Sequence, residues 1–256
     1  MHLGHVLNAI YVWAAARNGG PGGRVLLRIE DHDRARSRPE FEAALLEDLA
    51  WLGFAEDGDI TRQSERGALY ERALDGLRVR GLTYACECTR TDIGGGRYPG
   101  TCRDKLLSES PTLGIRVRLD PSVERFVDRR LGSQEQRPSE QSGDLLVRDR
   151  HGNWTYQFAV VVDDWLQGVN LVIRGEDLLD STGRQMQLAR LLGREQLPEF
   201  LHHALLMKTR TQKLSKSDGD TGVRELRAKG WSAEAVIDRA TRLAGLSRDQ
   251  LRLKRV

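Results

Sequence analysis

Short apolar runs bounded by turn residues alternate with amphipathic stretches of helix length along most of this chain, and that alternation limits the architecture more than any other feature. An opening helix, LGHVLNAIYVWAAA, leads into the turn Asn18 to Gly23 (NGGPGG). The run RVLLRIE, Arg24 to Glu30, then reads as a buried strand, because its apolar residues are contiguous and end in charges. Ser37 and Pro39 are start signals for a helix that places Phe41, Leu45, Leu46, Leu49 and Leu52 on one face and stops at Gly53. A further helix is expected from about Ser64 to Gly81, with Leu69, Ala73, Leu74 and Leu77 inward. Later, VNLVIRGEDL reads as a strand running into a polar loop, and a helix carrying Met186, Ala189, Leu191 and Leu192 ends at Gly193. EFLHHALLMK reads as another strand, and beyond Lys213 the chain is polar and helical. AVVVDDWLQG fits a buried strand or a helix equally by periodicity. Strands alternating with helices imply an α/β fold, a parallel sheet covered on both faces.

The middle of the chain has a different texture. From Cys86 to about Gly143 it holds all three cysteines, a Gly94-Gly95-Gly96 turn and one alternating strand, with Ile115, Val117 and Leu119 facing away from Arg116 and Arg118. The polar run GSQEQRPSEQSGD is expected to be a mobile loop, so the stretch as a whole reads as an insertion. Regular patterning resumes with DLLVRDRHGNWTYQF, expected as a hairpin around His151-Gly152-Asn153. No apolar run approaches the roughly 20 residues of a spanning helix, and the start lacks a secretory pattern. A cytoplasmic protein without membrane association is expected. Three cysteines between positions 86 and 102 cannot make a disulfide framework, and favour a local metal or redox site. The net charge of +3 is too small to demand a nucleic-acid partner by itself.

Two stretches point to phosphate chemistry. In HLGH, His2 and His5 flank Gly4 at a helix N-terminus, where unpaired backbone donors and the helix dipole favour an anion and a residue without a side chain admits a nucleotide. In KLSKS, Lys213 and Lys216 can hold the charge that builds on a leaving pyrophosphate. Each has an ordinary counterpart: two surface histidines near a chain end, and a solvated basic loop. The pair, one at the first helix and one after the last strand of an α/β sheet, is far more specific than either.

Those two stretches resemble the HIGH and KMSKS motifs of the class I aminoacyl-tRNA synthetases. LLRIEDHD, YQFAVVVDDWLQGV, VIRGEDLLDSTGRQ and KLSKS, in this order, resemble the glutamyl branch over about positions 2 to 217. The resemblance implies a Rossmann-like sheet of class I type, with residues 1–84 forming the first half of the catalytic domain and 144–210 the second. Residues 85–143 would be an inserted acceptor-type subdomain with a zinc knuckle, and 211–256 the KMSKS-like loop and a helical tail. It further implies that ATP, carried with Mg2+, meets His2, Gly4, His5 and Lys216, and that His2, His5, Lys213 and Lys216 stabilise charge during adenylate formation. Glu30 would take the ammonium group of L-glutamate, and Arg174 with Tyr156 a carboxylate. Without the resemblance, Glu30 and Arg174 read equally as structural ion pairs at strand ends.

Cys86, Cys88 and Cys102, with Tyr98, resemble the zinc site of the same branch. A CxC pair followed by a cysteine fourteen residues on supplies three thiolates. No histidine lies between residues 33 and 150, so a fourth protein ligand is Tyr98, a carboxylate such as Asp104, or water. Free structural thiols are the alternative. Only about forty residues follow the KMSKS-like loop, too few for an anticodon-reading domain. That shortness resembles the truncated glutamyl-type enzymes that esterify the queuosine base of tRNA(Asp), expected as monomers. Two alternatives are a piece of an enzyme charging a tRNA 3′ end and an inactive RNA-binding paralogue. Family members carry a strand and an Arg-Phe-Ala-Pro-Ser-like loop ahead of the HIGH element, which is not found here; the expectation is that this front is encoded upstream of Met1.

Overall fold

The computed structural model describes residues 1–18, 22–32, 37–206 and 222–246. Helix α1 (Leu3–Asn18) is apolar on most sides, and Leu3, Val6, Leu7 and Ile10 are fully enclosed. It is covered by α2 (Pro39–Trp51), α8 (Val223–Ala228) and α9 (Ala233–Leu243), whose Leu49, Leu226, Val236 and Ala240 complete one core. Helix α2 starts as expected, with Pro39 at its first turn beside Glu40 and Glu42, where negative charge suits the helix dipole. Gly53, at φ 80°, turns the chain out of it. Phe41 departs from the expected face: it is largely exposed, because the core contacts of this helix begin only at Leu45.

Among the described residues the strands fall into three sheets. β1 (Arg28–Ile29) pairs in parallel with β2 (Thr61–Arg62), a shorter strand than the Arg24 to Glu30 run led one to expect. β3 (Thr83–Cys86), β4 (Gly114–Val117) and β7 (Leu145–Arg148) make an antiparallel sheet. It packs on α3 (Gly67–Val79), α6 (Tyr156–Leu166) and α7 (Thr182–Leu191), with Tyr70, Leu74, Val117, Val147 and Phe158 enclosed between them. The third sheet has the order β6-β5-β9-β8, made of β5 (Glu124–Asp128), β6 (Gly132–Gln136), β8 (Leu171–Gly175) and β9 (Glu199–His203). Here β8, β9 and β5 run parallel and β6 turns back antiparallel along the edge.

Two expectations are corrected. A single parallel sheet gives way to two separate parallel sets and an antiparallel one. The run GSQEQRPSEQSGD is no loop: it forms β6 and the short helix α5 (Pro138–Gln141), because every second side chain of an edge strand faces solvent and polar residues are at home there. β5 and β6, which lie inside the 85–143 stretch, share a sheet with β8 and β9, so the sheet runs across that proposed boundary. The ambiguous AVVVDDWLQG resolves as helix α6, and the 149–153 turn closes with an Asp149 amide donating to the Asn153 carbonyl.

Candidate active site

The C-terminal ends of parallel strands are where open α/β sheets bind ligands. Arg174 stands at the end of β8, side by side with His202 in β9, the two being register partners. Its guanidinium is buried and held from three sides: Nε donates to His202 Nε2 (3.0 Å), one terminal nitrogen to Gln185 Oε1 (2.6 Å) and the other to Thr182 Oγ1 (2.9 Å). Burial presses it below the usual value for an arginine, with the Tyr156 hydroxyl and the Asp164 carboxylate countering. It remains a cation, as a guanidinium does in proteins. Tyr156, at the first turn of α6, lies against both Arg174 and Glu30, and its hydroxyl is held in the protonated form by burial first and by the Glu30 charge second.

Glu30 follows β1. Its neighbour Asp31 fixes the strand end by accepting from the Ser64 backbone (2.8 Å) and hydroxyl (2.6 Å). The Glu30 side chain is 42% exposed, with the Arg28 guanidinium 3.8 Å away. The protein around it still removes enough solvent to raise its carboxyl above the ordinary value, while Arg28 and His32 pull in the other direction. An acidic group, a buried cation and a phenol thus converge, which suits a zwitterion carrying a further carboxylate.

Below the recess lies a hub that the sequence did not reveal. Asp163 is fully buried and accepts from Arg66 Nε (2.6 Å), Gln63 Nε2 (2.8 Å) and the Tyr70 hydroxyl (2.8 Å). Asp164 receives Arg28 Nη1 at 2.9 Å, and the same nitrogen donates to Gln167. Arg28 is thereby turned beside Glu30. The signal for this hub was the spacing: Asp163 is seven residues after Tyr156, hence on the same face once α6 is helical.

At the start of α1, the His2 ring accepts from the Gly4 amide (3.1 Å) and lies tilted against that of His5, which is exposed, with centroids 3.7 Å apart. A Cβ on Gly4 would come within 2.9 Å of the His2 ring, so a larger residue there would push that ring from its place. One and a half turns on, Asn8 meets His203 Nε2 at 3.1 Å, and Tyr11 stacks on the same ring. The motif is thus joined to the recess by contacts through β9: Asn8 to His203, then His202 to Arg174. Lys213 and Lys216 lie outside the described residues. The chain on either side of that segment is placed: Leu206 is buried in the core around Leu3, Val6 and Leu7, and Gly222 is bridged to His2.

The cysteines form a separate cluster at the end of β3. The three Sγ atoms lie within 4.8 Å of one another, and those of Cys88 and Cys102 are 3.6 Å apart. Tetrahedral zinc with Zn–S near 2.3 Å requires sulfurs about 3.8 Å apart, so the donor set fits such an ion. The Tyr98 hydroxyl is 3.6 Å from Cys86 Sγ and accepts from the Cys102 amide at 2.8 Å, on the cluster's edge. Asp104 is instead directed at Arg118. Burial opposes ionisation of Cys86, yet the Arg116 guanidinium at 3.2 Å and Tyr98 outweigh it and hold the thiol below its ordinary value. Burial, with Cys102 next, pushes Cys88 up to about 11.

Comparison with known proteins identifies the family. The family model of the catalytic domain of class I tRNA synthetases (E and Q) matches residues 1–252, which makes the protein a ligase of the synthetase class. Glutamyl-Q tRNA(Asp) synthetase of Bordetella bronchiseptica is 43% identical over 232 residues, covering 86% of this chain and 72% of the relative. The Rhodobacter capsulatus protein of the same name is 39% identical over 259 residues, covering 91% and 92%. Within the class, the chain belongs to the glutamyl-Q tRNA(Asp) synthetase family. Among solved structures, a glutamate tRNA ligase from Elizabethkingia meningosepticum in complex with its amino acid superposes with a TM-score of 0.74 at 27% identity, over 86% of this chain. The chain spans 50% of the length of that structure. Among the described residues no helix is long and apolar enough to cross a membrane.

Proposed function

We propose that the protein activates L-glutamate with ATP and transfers it to the queuosine base in the anticodon of tRNA(Asp). The observation that carries the proposal is the closeness of Tyr156 to both Glu30 and Arg174 at the strand ends, in a chain whose relatives bear the name of that activity. Glu30 receives the substrate ammonium group, and Arg174 with the Tyr156 hydroxyl receives its side-chain carboxylate. The α-carboxylate oxygen then attacks the α-phosphorus of ATP, and the bond to the leaving pyrophosphate breaks. His2, the open backbone at Gly4 and His5 meet the nucleotide at the first turn of α1, while Lys213 and Lys216 neutralise the departing charge. Magnesium accompanies ATP. A nucleoside hydroxyl takes the glutamyl group from the adenylate and AMP leaves.

Zinc in the cluster of Cys86, Cys88, Cys102 and Tyr98 holds together the segments around β3 and the following loop, with a structural task and no part in the chemistry. Of the assignments made from sequence, Tyr98 is favoured over Asp104 as the fourth ligand, since its hydroxyl lies beside Cys86 and Asp104 faces away. The test of the proposal is glutamate-dependent exchange of pyrophosphate into ATP in the absence of tRNA, followed by transfer of labelled glutamate to tRNA(Asp). Transfer to the 3′ end of a glutamate tRNA instead would assign the ordinary charging reaction.

A further inference from the structure

Arg174 is oriented by a buried pair that neither the motifs nor the substrate groups explain. His202 and Asp128 are both fully enclosed, and His202 Nδ1 lies 2.7 Å from Asp128 Oδ2. The same oxygen accepts from the His202 backbone amide at 3.0 Å, while Oδ1 accepts from the amides of Arg130 (3.0 Å) and Leu131 (2.9 Å). Every lone pair of the carboxylate that faces protein is thus in use, which fixes Asp128 in place and in the ionised form. On the other side of the ring, Arg174 Nε approaches Nε2 at 3.0 Å. A guanidinium nitrogen only donates, so Nε2 must offer a lone pair and the proton must sit on Nδ1. Carboxylate, neutral ring and guanidinium therefore form one chain in which each hydrogen bond dictates the direction of the next. A protonated ring would set two donors face to face, and burial with the Arg174 charge indeed holds His202 below the usual histidine value.

We infer that His202, locked by Asp128, is a positioning residue that sets the direction of the Arg174 guanidinium and with it affinity for the substrate carboxylate. This rests on the proposed role of Arg174. Gln185 and Thr182 hold the terminal nitrogens, but among the described residues only His202 holds Nε, the atom that fixes rotation of the whole plane about the side chain. The bond is also made across register partners of two parallel strands, so backbone rigidity is passed directly to the cation.

Two isosteric replacements separate positioning from mere filling of space. In His202→Gln the amide oxygen falls near the place of Nε2 and still accepts from Arg174; in His202→Asn the amide nitrogen falls near Nδ1 and keeps Asp128 while the acceptor for Arg174 is lost. Using the full-length gene product and glutamate-dependent pyrophosphate exchange, His202→Asn is expected to raise the KM for glutamate about tenfold or more, with the KM for ATP and kcat nearly unchanged. His202→Gln is expected to stay within about threefold of wild type. Equal impairment of both variants, or a normal glutamate KM in folded His202→Asn, overturns the inference. Should His202→Asn fail to fold, the 15N shifts of the wild-type ring decide: a neutral ring protonated at Nδ1, perturbed by glutamate and not by ATP alone, is expected. A cationic ring, or one indifferent to glutamate, overturns it. Absence of exchange in the wild type would instead count against the proposed function itself.

Discussion

The glutamate recess and the cysteine cluster differ in how their buried groups are satisfied. In the recess each charge has a partner of its own: Asp163 has Arg66, Gln63 and Tyr70, Asp164 has Arg28, and Arg174 has His202, Gln185 and Thr182. The polar groups that meet the substrate are therefore held in position by the protein alone, which is the condition for electrostatic preorganisation. In the cluster three sulfurs crowd together; Arg116 donates to Cys86, and Lys105 acts on Cys102 and Cys88 through charge alone. Such a set repels itself once ionised unless an ion is shared among the sulfurs. One region is held mostly by its own partners, the buried Arg28 Nε excepted; the other is built to be completed.

The comparison can be broken most severely at the cluster. One zinc per chain is expected by atomic absorption, and a chelator or Cys102→Ser is expected to unfold the loop around Tyr98 and lower the melting temperature by several degrees, with the Glu30 and Arg174 region still protected from hydrogen exchange. Absence of zinc, or a chelator without effect on stability, would remove the contrast. Next in size is Asp163→Asn, which turns an amide toward three donors and is expected to cost about 3 kcal/mol of folding stability in denaturant titration. A change near zero would mean that the hub is not the foundation of the recess.

Smaller effects sharpen the recess itself. Arg174→Gln removes the charged fork and is expected to raise the glutamate KM about a hundredfold while the ATP KM holds. Glu30→Gln should weaken glutamate by about tenfold. The raised carboxyl of Glu30 also sets a pH dependence: the ammonium is bound by the ionised form, so acidification should weaken glutamate starting above the ordinary 4.5, and that inflection should vanish in Glu30→Gln. The smallest effect concerns stability. His202 is depressed below 6.5, so the unfolded chain takes up its proton first as pH falls through 6.5, and folding stability drops there. In His202→Gln this part of the loss should disappear, narrowing the gap to wild type in mild acid, as measured by melting temperature against pH.

Sequence alone revealed much of this, and unevenly. Roles for Glu30 and Arg174 came only with the resemblance of their stretches to a known family, whereas the cysteine spacing was legible because it depends on a few residues at short separation. Helix α6 was not, since four consecutive apolar residues look alike in a strand and a helix; with its type undecided, the shared face of Tyr156 and Asp163 stayed hidden. The Asp128–His202 pair joins residues 74 positions apart, and nothing local marks either one. β6 was missed for another reason: on an edge strand polarity carries no alternation to detect. Phe41 was misjudged because a helix face predicts what points the same way, not how far the neighbouring core extends.

Pyrophosphate exchange into ATP by the full-length gene product, without tRNA and with glutamate, glutamine or aspartate as the amino acid, tests the central claim most directly. Exchange with glutamate, lost in Arg174→Gln and barely detectable with glutamine, is the expected result. Exchange with glutamine as readily as with glutamate, or undiminished exchange in Arg174→Gln, would contradict it.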